Sequence, residues 1–287
     1  MKTSDELLQK REVQAIIRLA LAEDRFRSDA TGRLVIPAHL ESQAVLLSKA
    51  DGVLSGIGVF ATVFQRVDPS LKVDVRKTDG SKLKAGDKVA VVSGNTRSVL
   101  RAERTALNFV CHLSAVASAT AVYVECIKGT KAQIADTRKT SAGQRLLEKY
   151  AVSCGGGKNH RMHLSDAILI KDNHIAALRN AGQSLGEIVS QAKKRNRRGL
   201  EIEVEVNSLS QAEEAVSSGA DIVLLDNMSV DEMQAVVSKH RGRVRFEASG
   251  GITLQNLREV AETGVHIISI GALTHSVKVF DFSLEMM

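Results

Sequence analysis

The sequence predicts an α/β protein whose second half is an incomplete α/β barrel. From residue 132 onward short apolar runs recur, and the later ones are about 20 residues apart, which suits repeats of strand, loop, helix and loop. These runs are continuously apolar, as in parallel strands that are covered on both faces. With 44% hydrophobic residues among 287, the chain can bury a core of this size.

The first half of the chain has a different pattern. Residues 7–23 carry apolar side chains at helical spacing, and short strand-like runs follow, separated by turns rich in glycine and aspartate. The runs are GRLVIP, SQAVLLSKA, LKVDVRK and DKVAVVS. A long helix is then predicted over residues 97–127. This order of elements is typical of an α+β region that precedes the barrel.

Six strands are predicted in the second half, at 132–136, 167–171, 201–206, 221–226, 244–248 and 266–270. Ser208 with Gln211 and Ser229 with Glu232 predict capped helix starts between them, and Thr253 predicts another N-cap. A complete barrel of this class has eight strands. We therefore expect an incomplete or seven-stranded barrel, with one strand too irregular to recognise.

Composition narrows the class of protein. The three cysteines, Cys111, Cys126 and Cys154, suit neither a disulfide framework nor a zinc site, so a reducing, cytoplasmic setting is predicted. Aromatic residues make up only 3%, which disfavours a stacking platform for single-stranded nucleic acid. The charged N-terminal segment predicts neither an export signal nor a membrane span. Cys154, beside three glycines, is interpreted as part of a flexible loop and not as a nucleophile.

Cations collect in residues 136–175 beside turns and not on one helix or strand face. They are Arg138, Lys139, His160, Arg161, Lys171 and His174. Like charges repel at short range, so a negative ligand is expected to bring them together. Arginine forks suit carboxylates or phosphates, and Lys171 ends an apolar run where an unpaired ammonium is costly. The pattern predicts a site for a substrate with more than one anionic group.

Acidic and glycine signatures end the later strands. Glu205 and Asp226 could hold a hard divalent cation or hydrogen-bond ribose hydroxyls. Ser249-Gly250-Gly251 precedes a helix expected to begin near Thr253, which is typical of a phosphate site. Gly271-Ala272 offers a second such position.

These motifs, taken together, resemble those of the quinolinate phosphoribosyltransferases. The matching segments are DTRKT, LLEKYAV, GGGKNHR, ILIKDNHI, EVEV, VLLDN, EASGGI and IGALTHS, in this order. The resemblance covers nearly the whole chain and is strongest over about residues 97–276. The resemblance implies an N-terminal α/β sandwich over residues 1–118, with the tail 274–287 packing back on it, and an incomplete seven-stranded barrel over 119–273.

The resemblance also implies a reaction. Quinolinate and 5-phosphoribosyl 1-diphosphate give nicotinate mononucleotide, diphosphate and carbon dioxide in NAD biosynthesis, with Mg²⁺ as cofactor. Catalytic roles fall to Lys139, Lys171, Glu205 and Asp226, of which Glu205 and Asp226 would hold the metal directly or through water. The enzyme would be a cytoplasmic homodimer or a multiple of dimers that binds neither nucleic acid nor membrane.

The substrate-binding residues implied by the resemblance form a larger set. The resemblance implies that the quinolinate carboxylates are bound by Arg138, Lys139, His160, Arg161 and Lys171. Arg104 would reach the same site from the partner subunit. Thr137, Glu205, Asp226, Ser249, Gly250, Gly251, Ile270, Gly271 and Ala272 complete the set, the last six as phosphate contacts.

Two alternatives stay open at this point. Lys171 at a barrel strand end could form a Schiff base with a carbonyl substrate. The net charge of +6 and the run KKRNRRG at 193–199 could serve a nucleic-acid or polyanion-binding protein, although a solvated helix end explains that run as well.

Overall fold

The structure is a computed structural model that describes residues 4–287. The chain forms two compact units. The first contains the chain up to Ala121, together with Lys139–Gly157 and Ala272–Met287, and the second contains Val122–Arg138 and Lys158–Gly271. The sequence-based division at residue 118 leaves 139–157 in the barrel, whereas these residues belong to the first unit.

The helices are numbered in chain order. They are α1 Ser4–Leu8, α2 Arg11–Glu23, α3 Ala30–Val35, α4 Ile57–Val67, α5 Thr96–Cys126, α6 Arg145–Cys154, α7 Asp172–Arg179, α8 Leu185–Arg195, α9 Leu209–Ser217, α10 Val230–Lys239, α11 Leu257–Glu262 and α12 Ala272–His275. A short 3₁₀ turn, Phe26–Ser28, precedes α3.

The strands are numbered in the same way. They are β1 Glu41–Ser48, β2 Gly52–Val53, β3 Lys72–Val75, β4 Lys82–Leu83, β5 Lys88–Asn95, β6 Gln133–Ala135, β7 Ile168–Ile170, β8 Ile202–Val206, β9 Ile222–Asp226, β10 Arg245–Ser249, β11 Ile267–Ser269 and β12 Phe282–Met286.

The first unit contains an antiparallel sheet in the order β12-β1-β5-β3. The last strand, β12, pairs with β1 over Ala44–Ser48, so the tail of the chain returns to the N-terminal sheet. The predicted strand GRLVIP is wrong, because Ala30–Val35 is helical. The Asp29 side chain accepts the Gly32 N–H at 2.9 Å and caps this helix, and such a local bond outweighs the strand preference of β-branched residues.

Helix α5 is the long helix predicted at 97–127. By length and composition it could cross a membrane, with a mean hydropathy of 1.5 over an 18-residue window, although the sequence alone predicts no membrane span. Half of that window is buried inside the protein, and Val110, Leu113 and Ala117 are fully buried. A helix that is apolar on most of its faces is typical of a protein core as well as of a membrane span.

The segment 139–157 packs on α5 through α6. His112 Nε2 lies 2.9 Å from Glu148 Oε1, and the Glu148 side chain is fully buried. At the end of α6, a Cβ on Gly155 would lie 2.3 Å from the Ala117 carbonyl oxygen. Only glycine allows this close approach of backbone to backbone. These contacts explain why 139–157 belongs to the first unit.

In the second unit, all of which the structure describes, a parallel sheet has the order β6-β11-β10-β9-β8-β7. Its members are the six predicted strands, so that prediction is confirmed. Beyond β6, Lys158 makes a single parallel bridge to Ala135, where its N–H donates to the Ile134 carbonyl at 2.8 Å. The expected seventh strand is thus one bridge, and the architecture is an incomplete α/β barrel.

The helix starts follow the predicted caps in two of three cases. Ser229 and Glu232 form a capping box at α10, and Ser208 accepts the Gln211 N–H at the start of α9. The prediction for Thr253 is wrong. Its N–H donates to Asn256 Oδ1 at 2.8 Å, which closes a turn first, and α11 begins only at Leu257.

We expect Gly155→Ala to lower the free energy of unfolding by about 1–3 kcal/mol, because the added methyl group overlaps the α5 backbone. Urea unfolding followed by circular dichroism measures this change. Gly186→Ala in α8 is the matched control, since its methyl group would meet only the movable side chains of Ser218 and Glu214 and alanine favours helix. Equal stability of the two variants would contradict the close packing of Gly155.

Candidate active site

The polar residues that follow the strands lie along one edge of the second-unit sheet. Arg138 follows β6, Lys171 follows β7, Glu205 is near the end of β8, Asp226 ends β9 and Ser249 ends β10. Because all neighbouring pairs are parallel, the carboxyl ends of these strands share an edge. Thr137, Gly250, Gly251, Ile270 and Gly271 follow strands of the same sheet. The sheet brings these predicted site residues to one edge.

Asp136 anchors the loop that carries His160 and Arg161. Its side chain is fully buried directly after β6. One carboxylate oxygen accepts the His160 N–H at 2.8 Å, and the other accepts Asn159 Nδ2 at 2.7 Å. A buried carboxylate that accepts two hydrogen bonds holds its partners firmly. The backbone before Arg161 is therefore fixed to the end of β6.

The His160 imidazole lies against two buried carboxylates. Its Nε2 is 3.2 Å from Glu203 Oε2 and 3.4 Å from Glu247 Oε2, and both carboxylates are at most 2% exposed. Its Nδ1 accepts the Arg161 N–H at 2.9 Å. Burial lowers the pKa of His160, while the hydrogen bonds and charges of Glu203 and Glu247 raise it to about 10. A pKa near 10 corresponds to a doubly protonated ring at neutral pH, whereas the Arg161 N–H points at Nδ1 and leaves no place for a second proton. The hydrogen-bond geometry therefore favours a proton on Nε2 alone.

Arg161 and Arg138 repel each other in this site. Burial, and then the charge of Arg138, lower the pKa of Arg161, although nearby carboxylates including Glu205 act in the opposite direction. Arg161 Nη1 lies 3.5 Å from the Ala167 carbonyl. Two guanidinium groups that are near each other and partly desolvated favour binding of an anion between or beside them.

Lys171 lies where β7 meets α7. Its N–H donates to His174 Nδ1 at 3.0 Å, so the KDNH segment fixes its own turn. Lys171 Nζ is 4.0 Å from Glu205 Oε2. Burial raises the pKa of the Glu205 carboxyl, the ammonium of Lys171 lowers it, and the charges of Asp226 and Asp172 raise it again. Acidic and cationic groups thus lie side by side here.

A cavity of about 320 Å³ opens beside Glu205. Its lining includes the carboxyl-bearing residues Asp172, Glu205 and Asp226, together with Arg179 and Asn207. Carboxylate oxygens are the ligands that a hard divalent cation prefers. The donor set along this cavity therefore fits Mg²⁺, and it also suits hydroxyl groups of a sugar.

The turn after β10 requires glycine. Gly250 and Gly251 have φ of 78° and 62°, a left-handed conformation that side chains disfavour. A Cβ on Gly250 would lie 2.4 Å from Asn227 Oδ1, and Asn227 itself has φ of 55°. Successive left-handed residues can turn backbone N–H groups toward an anion. The helix expected near Thr253 does not follow this turn directly, because α11 begins only at Leu257.

Three predicted site residues belong to the first unit. They are Arg104, Lys139 and Ala272. The Lys139 carbonyl accepts Thr274 Oγ1 at 2.7 Å, which joins the 139–144 loop to α12. Arg104 lines a cavity of about 320 Å³ with Asn108 and His112 of the same helix face and with Glu23 and Asp24 of α2 and the turn after it.

Three functional candidates were not predicted from the sequence: Asp136, Glu203 and Glu247. Each lies in or at the end of a buried parallel strand, where a carboxylate is costly without a partner. Glu203 in IEVEV and Glu247 in RFEAS were therefore detectable as acids inside apolar strands. Their common partner, His160, was not detectable, because it comes from a loop far away along the chain.

Comparison with known families identifies the family and the fold. Residues 116–285 match the model of the quinolinate phosphoribosyl transferase C-terminal domain, and residues 29–114 match that of its N-terminal domain. The chain belongs to the quinolinate phosphoribosyltransferase family. The resemblance described from the motifs is thereby confirmed.

Individual relatives of this family match over nearly the whole chain. The nicotinate-nucleotide pyrophosphorylase [carboxylating] of Mycobacterium leprae is 40% identical over 276 residues, which cover 94% of this chain and 95% of the relative. The chloroplastic enzyme of that name from Arabidopsis thaliana is 38% identical, and the match covers 96% of this chain and 83% of the relative. A solved nicotinate-nucleotide pyrophosphorylase from Francisella tularensis is 36% identical with a TM-score of 0.90, covering 100% and 98%.

Cys154 is not an activated nucleophile. Burial raises its pKa, a hydrogen bond with Ser55 lowers it, the charge of Asp79 raises it and a hydrogen bond with Tyr150 lowers it, with a net value of about 11. Tyr150 Oη donates to Asp79 Oδ2 at 3.0 Å, so the same residues form a buried polar network in the first unit. The thiol is therefore protonated near neutral pH.

In a variant with Cys111→Ser and Cys126→Ser, we expect iodoacetamide to label Cys154 at pH 8 on the order of 100-fold more slowly than free cysteine, because the thiolate fraction is smaller. The labelling rate should rise as the pH approaches 11. Mass spectrometry of quenched samples measures it. Fast labelling at pH 8, or loss of turnover in folded Cys154→Ser, would contradict this assignment.

Proposed function

We propose that the carboxyl edge of the second-unit sheet is the active centre of a quinolinate phosphoribosyltransferase. The reaction joins quinolinate to 5-phosphoribosyl 1-diphosphate and gives nicotinate mononucleotide, diphosphate and carbon dioxide. Family membership and the names of the relatives support this reaction. The observation that carries the residue assignment is the meeting of cations, acids and a glycine turn at one sheet edge.

The cations form the quinolinate end of the site. The two arginines can each present a planar fork to a carboxylate, which is the geometry that two adjacent ring carboxylates require. Their mutual repulsion, which lowers the pKa of Arg161, is relieved when a dianion binds. Lys171 would supply a point charge at the same carboxylates. Binding of quinolinate is thus favoured over that of a monocarboxylate.

The glycine turn and the acids form the phosphoribosyl end. The backbone N–H groups of Ser249–Gly251 and of Ile270–Ala272 would bind phosphate oxygens. Glu205 and Asp226 would bind the ribose hydroxyls and Mg²⁺, directly or through water. When bound, the cation neutralises charge on the departing diphosphate. Because Lys171 Nζ lies 4.0 Å from Glu205 Oε2, Lys171 would contact both substrates.

The reaction requires the site residues to position two substrates. The pyridine nitrogen forms a bond to the ribose carbon as the bond from that carbon to the diphosphate oxygen breaks. The ring nitrogen is then quaternary. The adjacent carboxylate leaves as carbon dioxide, and its bonding electron pair stays on the ring carbon, which takes up a proton. The positive nitrogen stabilises that electron pair, so the protein needs no covalent nucleophile.

The alternative roles are less well supported. Lys171 is about half exposed and its Nζ lies 4.0 Å from Glu205 Oε2, whereas a lysine that forms a Schiff base is typically desolvated in an apolar pocket. The run KKRNRR closes α8, where Lys193 Nζ contacts the Gly219 carbonyl, as expected of a helix end. We further propose a cytoplasmic homodimer, or a multiple of dimers, in which Arg104 of one subunit completes the site of the other.

We expect purified protein to release one diphosphate and one carbon dioxide per quinolinate in the presence of Mg²⁺. Removing divalent cations with EDTA should abolish release and adding Mg²⁺ should restore it, because the leaving group then lacks charge neutralisation. Coupled diphosphate detection and ¹⁴CO₂ capture measure both products.

Nicotinate is the matched control substrate, since it lacks the carboxylate that is lost and should release no carbon dioxide. Folded protein that turns over neither compound would contradict the proposed reaction. Turnover that is equally fast in EDTA would contradict the proposed metal.

We expect Arg104→Ala and Lys171→Ala to be inactive alone and to recover up to about a quarter of wild-type activity after mixing and subunit exchange, because half of the dimers then hold one intact site of two. Turnover after refolding an equimolar mixture measures recovery. A mixture of Arg104→Ala with Arg161→Ala serves as a second pair with the same expectation. No recovery in exchanged dimers would contradict a shared site.

A further inference from the structure

The interior of the second-unit sheet contains a polar cluster that the reaction itself does not require. Glu203 is the second residue of β8 and Glu247 the middle residue of β10, with β9 between the two strands. Both side chains are buried, and both approach the same atom, His160 Nε2. Among residues 4–287, Glu203 Oε1 and both carboxylate oxygens of Glu247 have no hydrogen-bond partner, so Glu247 Oε2 contacts the ring nitrogen only electrostatically, at 3.4 Å. We name the three residues the interior cluster.

The interior cluster is costly for the fold. Two carboxylates so near each other repel, and each loses hydration on burial. Burial accordingly raises the pKa of Glu203, and the charge of Glu247 raises it further, although the hydrogen bond with His160 lowers it. Aliphatic residues occupy most other buried positions of these strands, and their burial would cost less free energy. The arrangement therefore has a use other than stability.

The contacts of the other imidazole nitrogen, Nδ1, indicate the role of the interior cluster. While Nε2 contacts the carboxylates, Nδ1 accepts the backbone N–H of Arg161 at 2.9 Å. Asp136 holds the N–H of His160 and the amide of Asn159. The residue before Arg161 is thus fixed by its backbone and by both ring nitrogens. Since both nitrogens have protein partners, neither is directed to a substrate.

We propose that Glu203 and Glu247 are positioning residues, which hold the His160 ring so that it fixes the backbone of Arg161 and aims that guanidinium at a substrate carboxylate. His160 then acts through Arg161 and does not itself bind quinolinate, unlike the direct contact that the family resemblance implied. This inference rests on the assignment of Arg161 to the quinolinate carboxylates made above.

The kinetic test uses Glu203→Gln and Glu247→Gln in the full-length protein. Each glutamine keeps the shape but weakens the contact with the ring, so we expect the KM for quinolinate to rise about tenfold or more. The KM for the phosphoribosyl donor should change less than about twofold, because the glycine turn is untouched. Glu201→Gln is the matched control, on the exposed end next to the same strand, where Glu201 pairs with Arg245.

A double-mutant cycle tests whether the effect passes through Arg161. In an Arg161→Lys background, Glu247→Gln should raise the quinolinate KM less than about twofold, since the group that it positions is already lost. Additive effects, or equal changes in both KM values, would overturn the proposal.

The tautomer of His160 gives a readout that does not depend on turnover. In protein with ¹⁵N-labelled histidine, we expect the His160 proton on Nε2 and an unprotonated Nδ1, both unchanged when quinolinate saturates the site. Glu247→Gln should mix the tautomers. A proton on Nδ1 that appears with quinolinate, or a stoichiometric metal ion held by the cluster, would overturn the proposal. If the wild type binds quinolinate but does not turn it over, the proposed function fails while this test still decides the positioning role.

Discussion

The parallel pairing of the second-unit strands is the constraint on which the site depends. Every neighbouring pair from β6 to β7 runs in the same direction, so every carboxyl end, with the turn that follows it, lies along one edge. Residues as far apart in sequence as Arg138 and Gly251 thereby lie along the same edge without any local signal that joins them. Because the strands are buried and apolar, their ends are the positions where charge costs least and can contact a ligand.

Charge inside the sheet is the exception to this arrangement. Most buried positions of β8 and β10 are aliphatic or small, yet Glu203 and Glu247 both lie there against one imidazole. A buried carboxylate pair is weak evidence for stability, since burial removes more hydration than the contacts return. It is better understood as a device for orientation, because a ring held at both nitrogens cannot rotate. The orientation of residues at the carboxyl edge of the sheet thus depends on a buried cluster that lowers the stability of the fold.

Glycines and local caps determine where the chain can turn at the edge. Gly250 leaves no room for a side chain beside Asn227, and His174 closes the turn that begins at Lys171. In the first unit, Gly155 similarly allows α6 to approach α5. These positions are selected by steric limits and not by charge, so they complement the ionic groups. Loop shape and charge placement are therefore set by different residues.

The sequence by itself determined the six barrel strands, the long helix α5, two of three helix caps and the set of strand-end residues, because periodicity and capping are local properties. It missed helix Ala30–Val35, where the Asp29 cap outweighs strand preference. Only the tertiary structure decided that 139–157 joins the first unit and that Glu203, Glu247 and His160 meet. Those contacts follow from the strand order β6-β11-β10-β9-β8-β7, which is set by non-local packing that no stretch of sequence encodes alone.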